Sequence, residues 1–329
     1  MAKLYPLLFT PVLKHYVWGG RNLQKLGRDL PDGQRIAESW EISGHEDGLT
    51  VVSNGSFAGK TLPQLLQIMG EDLVGSHNLW ALERGIFPLM VKLLDAEHRL
   101  SVQVHPDDAY AQKHEVNELG KAEMWVVLDA KPGAEIIFGF SQEITSEEIR
   151  QAISKGSLEH YLHHIPVQVG DHICVPPGTL HAILEGVLIT EIQQNSNTTY
   201  RVYDWNRVDD GQPRALHVDQ AIDVINFNQV RSNLPEAKSI AETPQLKLER
   251  LCQNPYFITE RITAKEKYSF SGCCDGSSLE IWGVISGEAH IAGISLKKVQ
   301  FCLLPAAMGS FSLHSQPGTV LLRVYTVKF

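Results

Sequence analysis

Gly170-Asp-His-Ile-Cys-Val-Pro-Pro-Gly-Thr-Leu-His-Ala-Ile-Leu-Glu185 is the stretch on which the fold of this chain turns. Gly170 permits the tight backbone that opens a short strand. Pro176, Pro177 and Gly178 then make a sharp turn. A second strand leaves the turn and carries His181 near its start, three residues after Gly178. Two short strands joined by a proline–glycine turn suit a β-sandwich or barrel, with the histidine held at one end of it.

The spacing G-x5-P-x-G-x2-H resembles the second motif of the cupins, a family of small β-barrels whose histidine is usually a metal ligand at the barrel mouth. Candidate partners lie upstream. Gln103 and His105, in Ser101-Val-Gln-Val-His-Pro106, are two apart, which on a strand puts both side chains on one face. Glu123 precedes a second apolar run, Met124 to Leu128. With His181 these give two imidazoles, a carboxylate and an amide oxygen. Nitrogen and oxygen donors without thiolate suit Zn²⁺, Fe²⁺ or Mn²⁺. A set with an open position suits catalysis, because structural zinc is normally closed by four ligands.

Working outward, short apolar and β-branched runs broken by Gly, Pro and Asn dominate the chain: 49–52, 88–94, 100–104, 135–138, 187–192 and 320–327. The expected fold is mainly β, with two cupin-like β-barrel (jelly-roll) domains and a few short helices inserted. Helices are expected over 62–69, stopped by Gly70, over 107–115, over 145–156, where Thr145 and Glu148 form a capping box, and over 218–225. The polar stretch 232–245 lacks periodicity and is expected to link a catalytic domain, 1–235 with a small helical insertion at about 145–164, to a second β domain, 246–329. The second domain contains His290 and His314 but no paired ligand pattern, so it is expected to carry no metal ligands.

The 329 residues are 43% hydrophobic and 20% charged, and the formal net charge is −9. That composition predicts a packed core. The acidic balance argues against nucleic acid and anionic membranes as partners, so an anionic substrate needs a locally basic site. No apolar run approaches the ~20 residues of a membrane span, and no signal peptide is read at the N-terminus. The five cysteines follow no zinc-ribbon spacing, and a cytoplasmic, reducing setting is expected. No G-x-G-x-x-G or G-x4-G-K-[ST] loop is present, so no nucleotide or nicotinamide cofactor is expected.

The motifs taken together resemble type I phosphomannose isomerase, especially its short bacterial form. The resemblance runs through Tyr16-Val-Trp-Gly-Gly20, Glu38-Ser-Trp-Glu-Ile-Ser43, Val102-Gln-Val-His-Pro106, Lys121-Ala-Glu123, Pro176-Pro-Gly-Thr-Leu-His181 and Thr199-Tyr-Arg-Val-Tyr-Asp-Trp-Asn-Arg207. It implies a zinc-dependent aldose–ketose isomerase, with one zinc ion per chain and a phosphosugar substrate, interconverting D-mannose 6-phosphate and D-fructose 6-phosphate through a cis-enediol. It implies zinc ligands at Gln103, His105, Glu123 and His181, although short forms can bind zinc with the two His and the Glu alone. It implies an essential arginine at Arg201 and lysines near the substrate at Lys121 and Lys92. Gly120 and Asn197 stand where the family often has a histidine and an acidic residue, so the resemblance names no single general base.

The residues themselves agree. Moving a proton between C1 and C2 takes a base and an acid, and a bound phosphate calls for Arg and Lys. Lys92, Arg99, Lys121, Arg201 and Arg207 supply the basic groups. Lys121 is a candidate proton carrier if burial or neighbouring positive charge lowers its pKa toward neutrality. Two other classes use the same elements: a cupin-type iron dioxygenase, compatible with two His and a carboxylate, and a non-catalytic sugar-phosphate-binding protein.

Overall fold

The structure is a computed structural model that describes residues 3–209 and 211–328. It is mainly β, with short helices between antiparallel sheets. The chain divides into two compact units, each discontinuous in sequence: residues 13–39 with 93–235, and residues 1–12 with 40–92 and 236–329.

In the unit built on 93–235, a five-stranded sheet runs in the order Tyr200–Tyr203, Val102–Val104, His181–Ile183, Glu135–Phe140, Leu162–Pro166. It faces a sheet whose strands include His172–Val175, Glu123–Ala130 and Val187–Gln194, in that order. The side-chain period of two sorts each strand. Trp125, Val127, Ile136, Phe138, Ile173, Val175, Ile183 and Ile189 point inward and fill the core between the sheets. On the five-stranded sheet the alternate residues Val102, Val104, Ile137, Ala182, Tyr200 and Val202 point outward. There they pack with Ile149, Ala152, Ala221 and Ile225, from or beside two covering helices. Both sheets are thus buried on the faces that need it, jelly-roll fashion. They remain two separate hydrogen-bonded ladders, not one closed barrel.

Those helices are Ser146–Ser154 and Val218–Val224. The first starts as its sequence dictates. The Thr145 hydroxyl accepts from the Glu148 amide at 3.2 Å, and the Thr145 amide donates to the Glu148 carboxylate at 2.8 Å. That reciprocal pair satisfies donors a helix start leaves open. Leu62–Met69 ends at Gly70, and Asp108–His114 is capped by Asp107, whose carboxylate accepts from the Tyr110 amide at 2.8 Å. The expected run at 49–52 is a strand only over Val51–Val52, and the polar stretch 232–245 contains the strand Lys238–Glu242.

In the other unit a six-stranded sheet, Lys238–Glu242, Leu246–Gln253, Phe257–Ala264, Val320–Thr326, Glu280–Ser286, Phe301–Leu304, packs on a four-stranded one, Tyr268–Cys274, Gly309–Ser315, Glu288–Ile291, Ile294–Lys297. Their shared core includes Ile262, Trp282, Val284, Leu296, Phe311 and Leu321. Cys273, Cys274 and Cys302 are free thiols. Among the described residues no helix is long and apolar enough to cross a membrane.

Candidate metal centre

Strand parity assembles the centre. Val102 and Val104 are committed to the outer core, so Gln103 and His105 face inward. Trp125 and Val127 are committed to the inner core, so Glu123 faces inward with them. Ile183 does the same for His181. Register then aligns the strands: His181 lies directly opposite Gln103 on one side and Phe138 on the other. The Pro176-Pro177-Gly178 turn sets the start of the His181 strand. Gly178 sits at φ +83°, donates its amide to the His105 carbonyl at 2.9 Å, and accepts at its own carbonyl from the Asn226 amide at 2.8 Å.

His105, Glu123 and His181 are each buried, and one donor atom from each lies within 4.8 Å of the others. His105 Nε2 is 3.1 Å from Glu123 Oε1, and His181 Nε2 is 3.8 Å from Glu123 Oε2. Each ring is held from behind: His105 Nδ1 donates to the Thr198 carbonyl and His181 Nδ1 to the Thr179 carbonyl, both at 2.9 Å. Trp125 Nε1 donates to Glu123 Oε2 at 3.0 Å. Such outer bonds fix tautomer and orientation. With Nδ1 carrying the hydrogen, Nε2 of each neutral ring is a bare lone pair.

Charge follows from burial. Burial pushes the His105 imidazolium down to about 3, reinforced by the Lys121 ammonium and opposed by Glu123. Burial also lowers His181, with Glu123 opposing. For Glu123 burial acts upward, but the Lys121 ammonium leads the interactions that hold the carboxyl well below its usual range. Two neutral nitrogen lone pairs and a carboxylate therefore converge in a buried space. Acceptors brought this close call for positive charge among them, and the Lys121 ammonium already supplies one beside Glu123 and His105. The donor set fits a divalent cation of the Zn²⁺, Fe²⁺ or Mn²⁺ kind, with positions left for substrate.

Lys121 joins the cluster, its Nζ 2.8 Å from Glu123 Oε1 and 3.3 Å from His105 Nε2. Burial acts to lower its pKa, but attraction to Glu123 and Glu191 outweighs that and raises it. This is opposite to the lowering a lysine base requires, and the reason is the pair of carboxylates around it. Gln103 reaches the centre with its amide, Nε2 lying 3.4 Å from His181 Nε2 while Ser101 donates to Oε1 at 3.2 Å. A half-turn of that amide exchanges oxygen for nitrogen and keeps a serine partner on the other side.

Arg201 lies on the neighbouring strand directly opposite Gln103. It is half-buried and donates through Nη1 to the Ala215 carbonyl at 2.8 Å, while its Nε has no hydrogen-bond partner. Burial, with repulsion from Arg214 and Arg207, lowers its pKa, and Asp204 opposes. Asp204 is buried and binds Arg207 at 2.5 Å and Arg214 at 3.5 Å through one oxygen. Two guanidinium groups thus pair with one carboxylate, and that of Arg201 lies within its electrostatic reach. Arg99 stacks on the Trp205 ring at 4.0 Å, and its carbonyl accepts from Arg207 at 2.5 Å. Lys92 is buried on the strand Leu89–Ala96, its ammonium 4.5 Å from the Trp40 ring centroid.

Glu191, Gln193, Asp204 and Arg214 lie beside these residues, and the sequence alone did not single them out. Glu191 and Gln193 stand opposite Trp125 and Glu123 on the adjoining strand and are buried. Their signal was a carboxylate and an amide at alternate positions of the apolar run 187–194. Asp204 and Arg214 gave none, because only folding brings them to Arg201 and Arg207.

Residues 7–123 match the model of the phosphomannose isomerase type I catalytic domain. The chain is 38% identical over 321 residues to a probable mannose-6-phosphate isomerase, GmuF, of Bacillus subtilis, covering 94% of this chain and 96% of that one. It is 44% identical over 254 residues to the mannose-6-phosphate isomerase of Streptococcus mutans, covering 77% of each. The crystal structure of the mannose 6-phosphate isomerase from Bacillus subtilis superposes with a TM-score of 0.85 at 34% identity, covering 97% of this chain and 99% of that one.

Proposed function

The chain belongs to the type I phosphomannose isomerases, and from that premise we propose that it is a zinc-dependent mannose-6-phosphate isomerase. It interconverts D-mannose 6-phosphate and D-fructose 6-phosphate through a cis-enediol. The observation that carries this is the buried convergence of His105, Glu123 and His181 with Lys121, one strand from Arg201.

His105, Glu123 and His181 would hold the zinc ion, with the Gln103 amide oxygen as a fourth donor. Bound there, a divalent ion supplies polarisation of a carbonyl. Lys121 enters as the ammonium its two carboxylate neighbours favour. In that form it donates a hydrogen bond, or a proton, to the substrate oxygen on which charge develops. Arg201 acts on the substrate beside it. The substrate's phosphoryl group is taken by the surplus positive charge of Arg201, Arg207 and Arg214, since Asp204 offsets only one of the three. Lys92 is a further substrate-binding cation. Catalysis is assigned to residues 1–235, with a small helical insertion at about 145–164, and 246–329 contribute no ligand to this catalytic ion. A small phosphosugar is the partner, no nucleotide or nicotinamide takes part, and the setting is cytoplasmic.

A coupled assay on zinc-replete protein tests the function: turnover is expected with both phosphosugars, and none with either overturns it. In deuterated water, label is expected at C2 of mannose 6-phosphate or C1 of fructose 6-phosphate. Complete retention of the original hydrogen over many turnovers contradicts an open enediol.

A further inference from the structure

We infer that the outer face of the sheet formed by 268–274, 309–315, 288–291 and 294–297 carries a second cation site. It is a cross-strand histidine pair, His290 and His314, with the chemistry to take a borderline transition-metal dication such as Cu²⁺, Ni²⁺ or Zn²⁺. The two residues are directly opposite one another on neighbouring antiparallel strands. Residues so paired share a face, with Cβ atoms about 4.5–5.5 Å apart. Both are exposed, because the alternate residues Ala289, Ile291 and Leu313 are committed to the core.

The register extends the pair into a row across all four strands. Ser269 is opposite His314 on its far side, and Ser295 is opposite His290 on its far side. Each serine grips its neighbouring ring: Ser269 Oγ lies 2.9 Å from His314 Nδ1, and Ser295 Oγ 2.8 Å from His290 Nδ1. When Nδ1–H donates to the serine oxygen, Nε2 is left as the free donor atom on both rings. This repeats at the surface the logic of the buried centre, where backbone carbonyls take Nδ1 and leave Nε2 available. A two-residue turn, Ala292 at φ +48° and Gly293 at φ +87°, fixes the register of the His290 and Ser295 strands. Glu288 and Lys297 oppose each other two residues along the same face, so that position adds no net charge.

Imidazole donors select Cu²⁺, Ni²⁺ and Zn²⁺ over Mg²⁺ or Ca²⁺, with Cu²⁺ the tightest. Two protein ligands leave the remaining positions to water, which makes the site open and its metal exchangeable.

The test is a Cu²⁺ titration of tag-free enzyme already loaded with zinc, read by equilibrium dialysis and by electron paramagnetic resonance. One additional cation per chain is expected, its spectrum showing two coupled imidazole nitrogens. His290→Ala and His314→Ala should each abolish that extra equivalent while leaving isomerase activity unchanged. Ser269→Ala should keep the site with roughly tenfold weaker binding. An unchanged stoichiometry in both single variants overturns the proposal. So does loss of binding in only one of them, because a pair requires both rings.

Discussion

At His105 a single side chain carries structure and chemistry together: its Nδ1 is spent on the Thr198 carbonyl and its Nε2 faces Glu123 and Lys121. His105→Ala should therefore remove bound zinc and isomerase activity together, by at least about a hundredfold in rate, measured by metal analysis beside the coupled assay. The same burial fixes a pH dependence for chain stripped of zinc with a chelator. His105 titrates near 3 in the fold and near 6.5 when unfolded. Between those values the unfolded chain binds the extra proton, so stability is full above about 6.5 and falls as pH drops toward 3, at up to about 1.4 kcal/mol per pH unit for one such group. The downward shift of His181 acts in the same direction. Thermal unfolding across that window should show a steep acid limb, made shallower by His105→Gln. Arg201→Ala should lose most turnover while holding zinc content and thermal midpoint close to those of the unmodified chain, since its Nε binds nothing and its Nη1 holds only the Ala215 carbonyl.

At the scale of the element, the turn after the His172–Val175 strand is the part with least tolerance. A Cβ at Gly178 would come within 2.8 Å of the Val224 carbonyl oxygen, at a φ of +83° that L side chains rarely adopt. Gly178→Ala should cost about 1–3 kcal/mol in denaturant unfolding and weaken zinc binding, because His181 follows three residues later. Thr145→Ala makes the contrast. It removes the cap of the helix Ser146–Ser154 and should cost about 1 kcal/mol with kcat and zinc content unaltered. Both elements were legible in the sequence because their causes are local: a proline–glycine turn, a capping box, a glycine stop. The strands Leu246–Gln253 and Phe257–Ala264 were less so. Their partly polar alternation, Lys247, Glu249, Arg261, makes sense only once Glu249 is seen paired with Lys247 and Arg261.

Across the whole molecule one local device occurs twice. Glu280-Ile-Trp-Gly-Val-Ile285 repeats Glu123-Met-Trp-Val-Val-Leu128, and in each the Trp indole donates to the Glu two residues before it, at 2.7 Å and 3.0 Å. Beside Glu123 stand Lys121 and two histidines; beside Glu280 stands Arg323, bonded through two of its nitrogens and lying over Trp282. A guanidinium thus meets the second carboxylate where the first meets a metal-type donor set. Arg323→Met should leave Glu280 buried without a cation and cost about 3–5 kcal/mol in unfolding experiments, with zinc content unchanged in the folded fraction. The sequence by itself determined the mainly β architecture, the family, and the candidate donors Gln103, His105, Glu123 and His181, because strand parity and turn chemistry act over a few residues. Only the tertiary structure decided that residues 40–92 cluster with 236–329, that Glu191 joins Glu123 in raising the Lys121 pKa, and that Asp204 and Arg214 gather at Arg201. Those outcomes depend on strand register and on charges meeting across long stretches of chain, and neither leaves a periodic trace in the sequence.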